Sequence, residues 1–230
     1  IIPLIIAIYY AGELVWRDRE RRVHEIVDAT PAPAWAFVVP KILAISLVLC
    51  ATLAASTLAG IATQALKGHF DFEIGKYFAW YVLPVTATVV MYAVLGVVMQ
   101  TLVPHKAFGW LLMLLFFVAS VTLDRLGFEH NLYQFAGNPG VPLSDMNGQG
   151  DFARFAWWFR AYWAAGAVFL AVLAYGLWNR GVDAPLKSRL TRLPHRVTGT
   201  AAVVAGVSLL AMTGLGAWIF YNTNVLNEYQ

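Results

Sequence analysis

Long apolar stretches separated by short charged connections dominate the pattern of this chain. A helix needs about 20 mostly apolar residues to cross roughly 30 Å of bilayer core. The pattern predicts five full spans, at residues 42–66, 77–103, 107–123, 158–179 and 197–221. A sixth run, residues 1–12, covers only about 18 Å as a helix and is predicted to be the end of a truncated span. The predicted fold is therefore an all-α integral membrane protein, a polytopic helical bundle.

Composition agrees with this fold and excludes other classes. Hydrophobic residues make up 60% of the 230-residue chain and charged residues only 13%, whereas a soluble domain carries about 25% charged residues. The single Cys50 excludes a disulfide scaffold. A net charge of +3 is too small to indicate binding to nucleic acid. Because the chain starts at Ile1 without an initiator Met, we expect it to be a piece of a longer protein.

The basic residues predict how the chain crosses the membrane. Alternate connections, at residues 13–41, 104–106 and 180–196, hold eleven of the 16 Lys and Arg residues. By the positive-inside rule these connections are cytoplasmic, so the tail at 222–230 is the start of an extracytoplasmic linker. Residues 180–196 are predicted to anchor this topology at the lipid headgroups, with a contact to a cytoplasmic partner left open.

The densest charge cluster is the segment 13–29, predicted to be one cytoplasmic amphipathic helix that ends before Pro31 and Pro33. It could lie on anionic lipid or present its charges to a protein partner. The mixture of acids and bases favours the partner, because acidic side chains gain nothing from anionic lipid. The side chains predicted to form this contact are Glu13, Arg17, Arg21, Glu25 and Asp28.

This segment resembles the coupling helix of ABC-2-type transporter permeases. The chain is similar to one bacterial subgroup of that family in four stretches: YYAGELVWRDRERRVHEIVDATPAP, GFEHNLY, SDMNG and IFYNTNVLNEY. The resemblance implies that the segment docks on a separate ATP-binding cassette subunit, which binds the ATP, and that a second permease half or a homodimer partner completes the transporter. It also implies a location in the bacterial inner membrane. In that subgroup further permease precedes the position of Ile1, and an extracytoplasmic zinc aminopeptidase of the aminopeptidase-N type follows that of Gln230, so both are expected here.

The spans carry little chemistry of their own. Residues 42–66, 77–103, 107–123, 161–179 and 197–221 contain no Asp, Glu, Lys, Arg or His, so an internal proton relay is not expected. One predicted span carries small residues at helical spacing, which favours close helix packing over a substrate path. These residues are Ala51, Ala55, Ala59, Ser56 and Gly60.

Neither a catalytic residue nor a resident cofactor or metal is predicted. His24–Glu25 lacks the second His of a zinc-peptidase motif. The external loop at 124–156 contains Glu129, His130, Asp145 and Asp151 without a recognised ligand spacing, so a structured lid or partner surface is favoured over a metal site. The predicted function is the permease component of an ATP-driven transporter. The alternatives are the membrane anchor of a zinc aminopeptidase, or a structural or sensory membrane protein.

Overall fold

The computed structural model describes residues 2–144, 146, 148–181 and 184–226. Within them the regular secondary structure is helical, apart from one isolated bridge between Ser144 and Gly148, and turns and irregular segments connect the helices. Nine α-helices lie in this described part. They are α1 (Ile2–Glu20), α2 (His24–Asp28), α3 (Trp35–Leu66), α4 (Ile74–Lys76), α5 (Leu83–Leu102), α6 (Lys106–Arg125), α7 (Phe152–Leu177), α8 (Leu186–Arg196) and α9 (Thr200–Tyr221). π-Helical turns at Tyr77–Val82 and Asn222–Leu226 extend α5 and α9.

Five helices of the described residues are long and apolar enough to cross a bilayer. They are Trp35–Leu66, Ile74–Leu102, Lys106–Arg125, Phe152–Leu177 and Thr200–Leu226. Each overlaps one predicted run, so the prediction of an all-helical chain is confirmed and these helices fit a multi-pass membrane protein. The largest difference is at α3, which begins seven residues before the predicted start and accommodates Pro40 inside the helix.

The predicted single helix over residues 13–29 is divided in the structure. Glu13 belongs to α1, which runs without interruption to Glu20, and a break at residues 21–23 precedes α2. The Val23 N–H donates to the Asp18 carbonyl and the Arg22 N–H to the Arg19 carbonyl, both at 3.0 Å. With Arg22 at φ 56°, this is a Schellman motif, the usual way in which a helix satisfies its last carbonyls. The prediction of one helix is therefore wrong, because Arg22 occupies a position that glycine usually marks.

The chain divides into two compact units. The first contains residues 1–110 with 180–183, and the second contains residues 111–179 with 184–230. In the first unit, α1 and α3 both pack on α5, whose buried side chains include Val94, Val97 and Gln100. A side-chain carbon at Gly96 would lie 2.9 Å from the Ala11 Cβ, so glycine is what allows α1 and α5 to approach closely.

In the second unit, α7 pairs with α9, and α8 packs on α7. Gly216 in α9 leaves room for the Tyr162 ring, 3.0 Å from where a Cβ would stand. Gly166 in α7 likewise leaves room for Met212 of α9, whose sulfur would be 3.2 Å from an added Cβ. Small residues therefore bring α7 and α9 into contact, the ordinary means of helix association where no hydrophobic effect drives it.

Candidate functional site

A lysine at the start of α6 joins two acidic side chains of α1. Lys106 Nζ lies 3.0 Å from Glu13 Oε1 and 2.7 Å from Glu20 Oε1. Glu13 and Glu20 are seven residues apart, so they lie on the same face of α1, two turns from each other. The ammonium also stands 5.4 Å from the centroid of the Trp110 ring. The charged end of α1 is thereby fixed to the first turn of α6.

A second lysine fixes the same part of α1 to α3. Lys41 Nζ donates to the Leu14 carbonyl at 2.7 Å and to Asp18 Oδ2 at 3.1 Å. Because α3 begins at Trp35, Lys41 is inside this helix and not in the preceding connection, where the sequence analysis placed it. The acidic side chains of α1 in this segment therefore pair with lysines of other helices, and not with basic residues one turn away on α1.

A buried amide ties α1 to α5. The Trp16 Nε1–H donates to Gln100 Oε1 at 2.8 Å, and Gln100 Nε2 donates to the Lys106 carbonyl at 3.4 Å. Gln100 is 1% exposed. The glycine of α6 nearest to it is essential for this placement, since a Cβ at Gly109 would lie 2.2 Å from Gln100 Oε1. Three helices of the first unit therefore hold the charged end of α1 through polar contacts.

Arg180 organises the turn between α2 and α3. Its Nη1 donates to the Ala32 carbonyl at 2.5 Å, and its Nη2 donates to the carbonyls of Asp28 at 2.9 Å and Thr30 at 2.8 Å. The guanidinium carbon lies 4.8 Å from the centroid of the Phe37 ring, a cation–π arrangement. The Gly181 N–H donates to Asp28 Oδ2 at 2.9 Å. The turn at residues 28–34 is thus folded around one guanidinium group.

The five predicted contact residues fall into two groups. Arg17, Arg21 and Glu25 are exposed. Glu13 binds Lys106, and the Asp28 side chain is only 10% exposed, with Oδ1 3.9 Å from Arg180 Nε. Three residues therefore present charge outward, whereas the carboxylates of Glu13 and Asp28 hold the segment in place. We call the exposed set Arg17, Arg21 and Glu25 the outer charge set.

The small-residue stripe of α3 is not covered by the described part of this chain. Ala51, Ala55, Ser56, Ala59 and Gly60 are all exposed. The buried face of α3 is a different one and consists of Val38, Ile42, Ile45, Ser46, Leu49 and Leu53. Ser56 Oγ does lie 3.4 Å from Tyr81 Oη. The stripe is therefore available to lipid or to another protein chain.

A histidine in the second unit joins the loop after α6 to the end of α9. The Leu132 N–H donates to His130 Nδ1 at 3.1 Å, and His130 Nε2 lies 3.1 Å from Thr223 Oγ1. The Thr223 hydroxyl in turn donates to the Ile219 carbonyl at 2.9 Å. Nε2 is therefore the protonated nitrogen in the neutral ring. A cavity of about 510 Å³ opens beside this ring, with Glu129 and Phe220 in its lining.

The loop supplies no metal site among its described residues. No group of three His, Cys, Asp or Glu side chains in the described ranges comes close enough to hold an ion. Asp145, one of the four predicted candidates, lies outside the described residues. His130 instead makes the hydrogen bonds given above, and Asp151 lines a second cavity of about 300 Å³ beside the end of α9.

The His130 contacts predict a pH-dependent stability. Burial lowers the pKa of His130 below its usual value, and protonation of Nδ1 would break its bond to the Leu132 N–H. Because the unfolded chain binds this proton more readily, stability is full above about pH 6.5 and decreases as the pH falls below that value. We expect the melting temperature of the purified protein to fall by about 2 °C more between pH 7.5 and 5.0 than that of His130→Gln. Equal pH dependence of both proteins would refute this role for His130.

The charged segment is evident in the sequence, but the residues that hold it in place are not. Lys41, Lys106 and Arg180 were counted only as positive charges that set topology, and Gln100 had no assigned role. A signal for Lys41 and Lys106 was present, because each is a cation at the end of a span. No protein-family model matches this chain, and neither a curated protein nor a solved structure shows significant similarity to it.

Proposed function

We propose that this chain is a permease component of an ATP-driven ABC-2-type transporter, with residues 13–29 as its coupling segment. The observation that carries the proposal is the way in which this segment is held. Lys106, Lys41 and Gln100 attach it to three apolar helices, and the outer charge set stays exposed. A segment that transmits force needs both properties, rigid attachment to the spans and a free surface for a partner.

The outer charge set suits a protein partner better than a lipid surface. Arg17 and Arg21 are basic and Glu25 is acidic, and Ile26 beside them is 75% exposed. Interspersed charges of both signs with an apolar side chain are typical of protein interfaces, where complementary charge fixes partner and register. In this proposal a separate ATP-binding subunit docks here and itself binds and hydrolyses the ATP.

The coupling would proceed by a shift between two states of the permease. Closure of the ATP-binding subunit pushes the end of α1, and the ion pairs carry this displacement to α3 and α6. The two conformations of the ATP-binding subunit bind the segment with different affinities. Such a difference is required for a partner to shift the population of the permease from one state to the other. The chain itself performs no covalent chemistry in this mechanism.

The exposed small-residue stripe of α3 supports a second membrane partner. Ala51, Ala55 and Ala59 recur every four residues on one exposed face, the spacing at which helices approach closely in lipid. A second permease half or a second copy of this chain is the proposed occupant.

The first test concerns orientation. In a Cys50→Ala background, Arg21→Cys and Met146→Cys each introduce one exposed thiol, the latter at a side chain that is 98% exposed. If the segment is cytoplasmic and the loop at 124–156 extracytoplasmic, an impermeant maleimide labels position 146 in intact cells and labels position 21 only after lysis. Labelling of position 21 in intact cells would contradict the proposal.

The second test concerns the partner. Arg17→Glu/Arg21→Glu reverses two charges of the outer set and is expected to reduce recovery of a co-purifying ATPase at least tenfold, since close charge pairs contribute about 1.5–7 kcal/mol at protein interfaces. Lys67→Glu/Arg125→Glu makes the same change of charge at exposed positions and should leave recovery unchanged. Full retention of the ATPase by the first variant would refute the docking site. Recovery of no ATPase with the wild-type chain would favour a membrane anchor or a sensory protein.

A further inference from the structure

Helix α8 is held at the end of two membrane-spanning helices. Helix α7 ends at Leu177 and α9 begins at Thr200, so only residues 178–185 and 197–199 connect α8 (Leu186–Arg196) to them. Connections this short keep α8 at the level where both helices leave the bilayer. Helix α8 therefore lies among lipid headgroups, on whichever side of the membrane α7 ends and α9 begins.

Two of the arginines on α8 are used within the chain. Arg189 Nη1 donates to the Leu177 carbonyl at 3.1 Å, and Arg196 Nη1 donates to the Trp178 carbonyl at 2.7 Å and to the Gly176 carbonyl at 3.4 Å. The last carbonyls of a helix have no partner inside it and carry partial negative charge. Arg189 and Arg196 therefore satisfy the end of α7 and fix α8 against it.

Glycine makes this contact possible. A Cβ on Gly176 would lie 2.4 Å from Leu193 Cδ1 and 2.7 Å from Val197 Cγ2. The inner face of α8 is thus defined by Arg189, Leu193 and Arg196, and its orientation on α7 is fixed. The rest of the α8 surface is therefore turned away from α7.

The surface of α8 that does not pack on α7 combines positive charge with an exposed apolar side chain. At about 100° of rotation per residue, Lys187 lies opposite the inner face, and Leu190 and Arg192 lie on its two flanks. Lys187 and Arg192 are exposed, and Leu190 is 48% exposed. No residue of α8 is acidic, in contrast to the coupling segment, where acids and bases alternate. A helix with one sign of charge and an apolar side chain at headgroup level has the properties of an interfacial helix that binds anionic lipid.

We infer that the exposed surface of α8, with Lys187 on the side opposite Arg189 and with Leu190 and Arg192 on the two flanks, is a binding surface for the headgroups of anionic phospholipids. The two cations contact lipid phosphates, and Leu190 lies at the boundary of the acyl chains. The arginines of the inner face keep this surface turned away from α7. This inference does not depend on transport or on an ATPase.

The experiment measures lipid identity next to α8. In the Cys50→Ala background, a bimane fluorophore on Thr191→Cys, an exposed position, is quenched by brominated phosphatidylglycerol or by brominated phosphatidylcholine in otherwise identical mixed nanodiscs. We expect brominated phosphatidylglycerol to quench more strongly. The preference for phosphatidylglycerol over phosphatidylcholine near position 191, calculated from the two quenching curves, should fall about fivefold for each charge removed in Lys187→Gln and Arg192→Gln. The same preference should weaken in 0.5 M salt.

A control variant tests whether the effect depends on charge at α8 or only on the net charge of the protein. Lys67→Gln/Arg154→Gln removes the same charge at other exposed positions and should not change quenching at position 191. Near-UV circular dichroism checks that each variant is folded. Equal quenching by both lipids in the parent protein, or an unchanged preference in Lys187→Gln/Arg192→Gln, would overturn the inference. Absence of quenching by either lipid would overturn it as well and would point to a protein partner for this face.

Discussion

Replacing Arg180 by alanine is expected to unfold the turn between α2 and α3 while the apolar helices stay folded. The guanidinium donates to three carbonyls of this turn and stacks on Phe37. Hydrogen bonds to a charged group contribute about 1.5–3 kcal/mol each when well buried. Because the Arg180 side chain is 24% exposed, we expect the free energy of unfolding to fall by about 2–4 kcal/mol in total. Hydrogen exchange should increase at amides of residues 28–34.

Two further substitutions test whether the effect of Arg180→Ala is specific to this guanidinium group. Arg180→Lys keeps the charge but loses the planar fork that reaches three carbonyls, so it should show an intermediate increase in exchange. Arg154→Ala removes an exposed arginine and should leave exchange at residues 28–34 unchanged. Under the proposed function, Arg180→Ala also weakens coupling, since a partner would then push on a loose turn. Unchanged protection of residues 28–34 in Arg180→Ala would show that the turn does not depend on this side chain.

Gly109→Ala is expected to have an effect of similar size by a different mechanism. The new methyl carbon would lie 2.2 Å from Gln100 Oε1 and 2.3 Å from its Cδ. Gln100 is buried and bonded to Trp16, so it must leave its position and break that bond. Overpacking costs about 1–3 kcal/mol and an unsatisfied buried polar group about 1–3 kcal/mol more. We expect a loss of about 3 kcal/mol, measured by SDS titration of the purified protein.

Two further variants separate this clash from a general effect of Gly to Ala. Gly206→Ala, at an exposed position inside α9 with no heavy atom within 4 Å of the added carbon, should be neutral or stabilising by up to about 1 kcal/mol. Shortening the clashing side chain in Gly109→Ala/Gln100→Ala should recover part of the lost stability, so the two changes should not be additive. If Gly109→Ala alone leaves stability unchanged, α6 does not approach Gln100 as described.

The apolar helices could be predicted from the sequence because their signal is local. A predicted run at residues 107–123 corresponds to the helix Lys106–Arg125, since an uninterrupted apolar stretch allows few other structures in lipid. The ends were less accurate where charge was taken as a boundary. Helix α7 begins at Phe152, before the predicted start at residue 158, and so includes Arg154. A long basic side chain of this kind can extend from a helix end towards water.

The break after α1 was missed because its cause is a backbone conformation. Glycine is the usual residue at the left-handed position that ends a helix, and here Arg22 occupies it. The charged residues around it have good helix propensity, so a continuous helix was the natural prediction. Tertiary contacts that hold both sides of the break decide otherwise, with Lys41 on Asp18 and Arg180 on the turn after α2.

By itself the sequence determined that this chain forms apolar helices suited to a membrane, and that charge is concentrated directly after the short apolar run at residues 1–12. Only the tertiary structure decided which of those charges face outward. Glu13 and Asp28 bind within the chain, whereas Arg17, Arg21 and Glu25 remain exposed. The physical reason is that the length and composition of an apolar run are local properties of the sequence. The partner of a charged side chain depends instead on the fold, which brings together residues as far apart in sequence as Glu13 and Lys106.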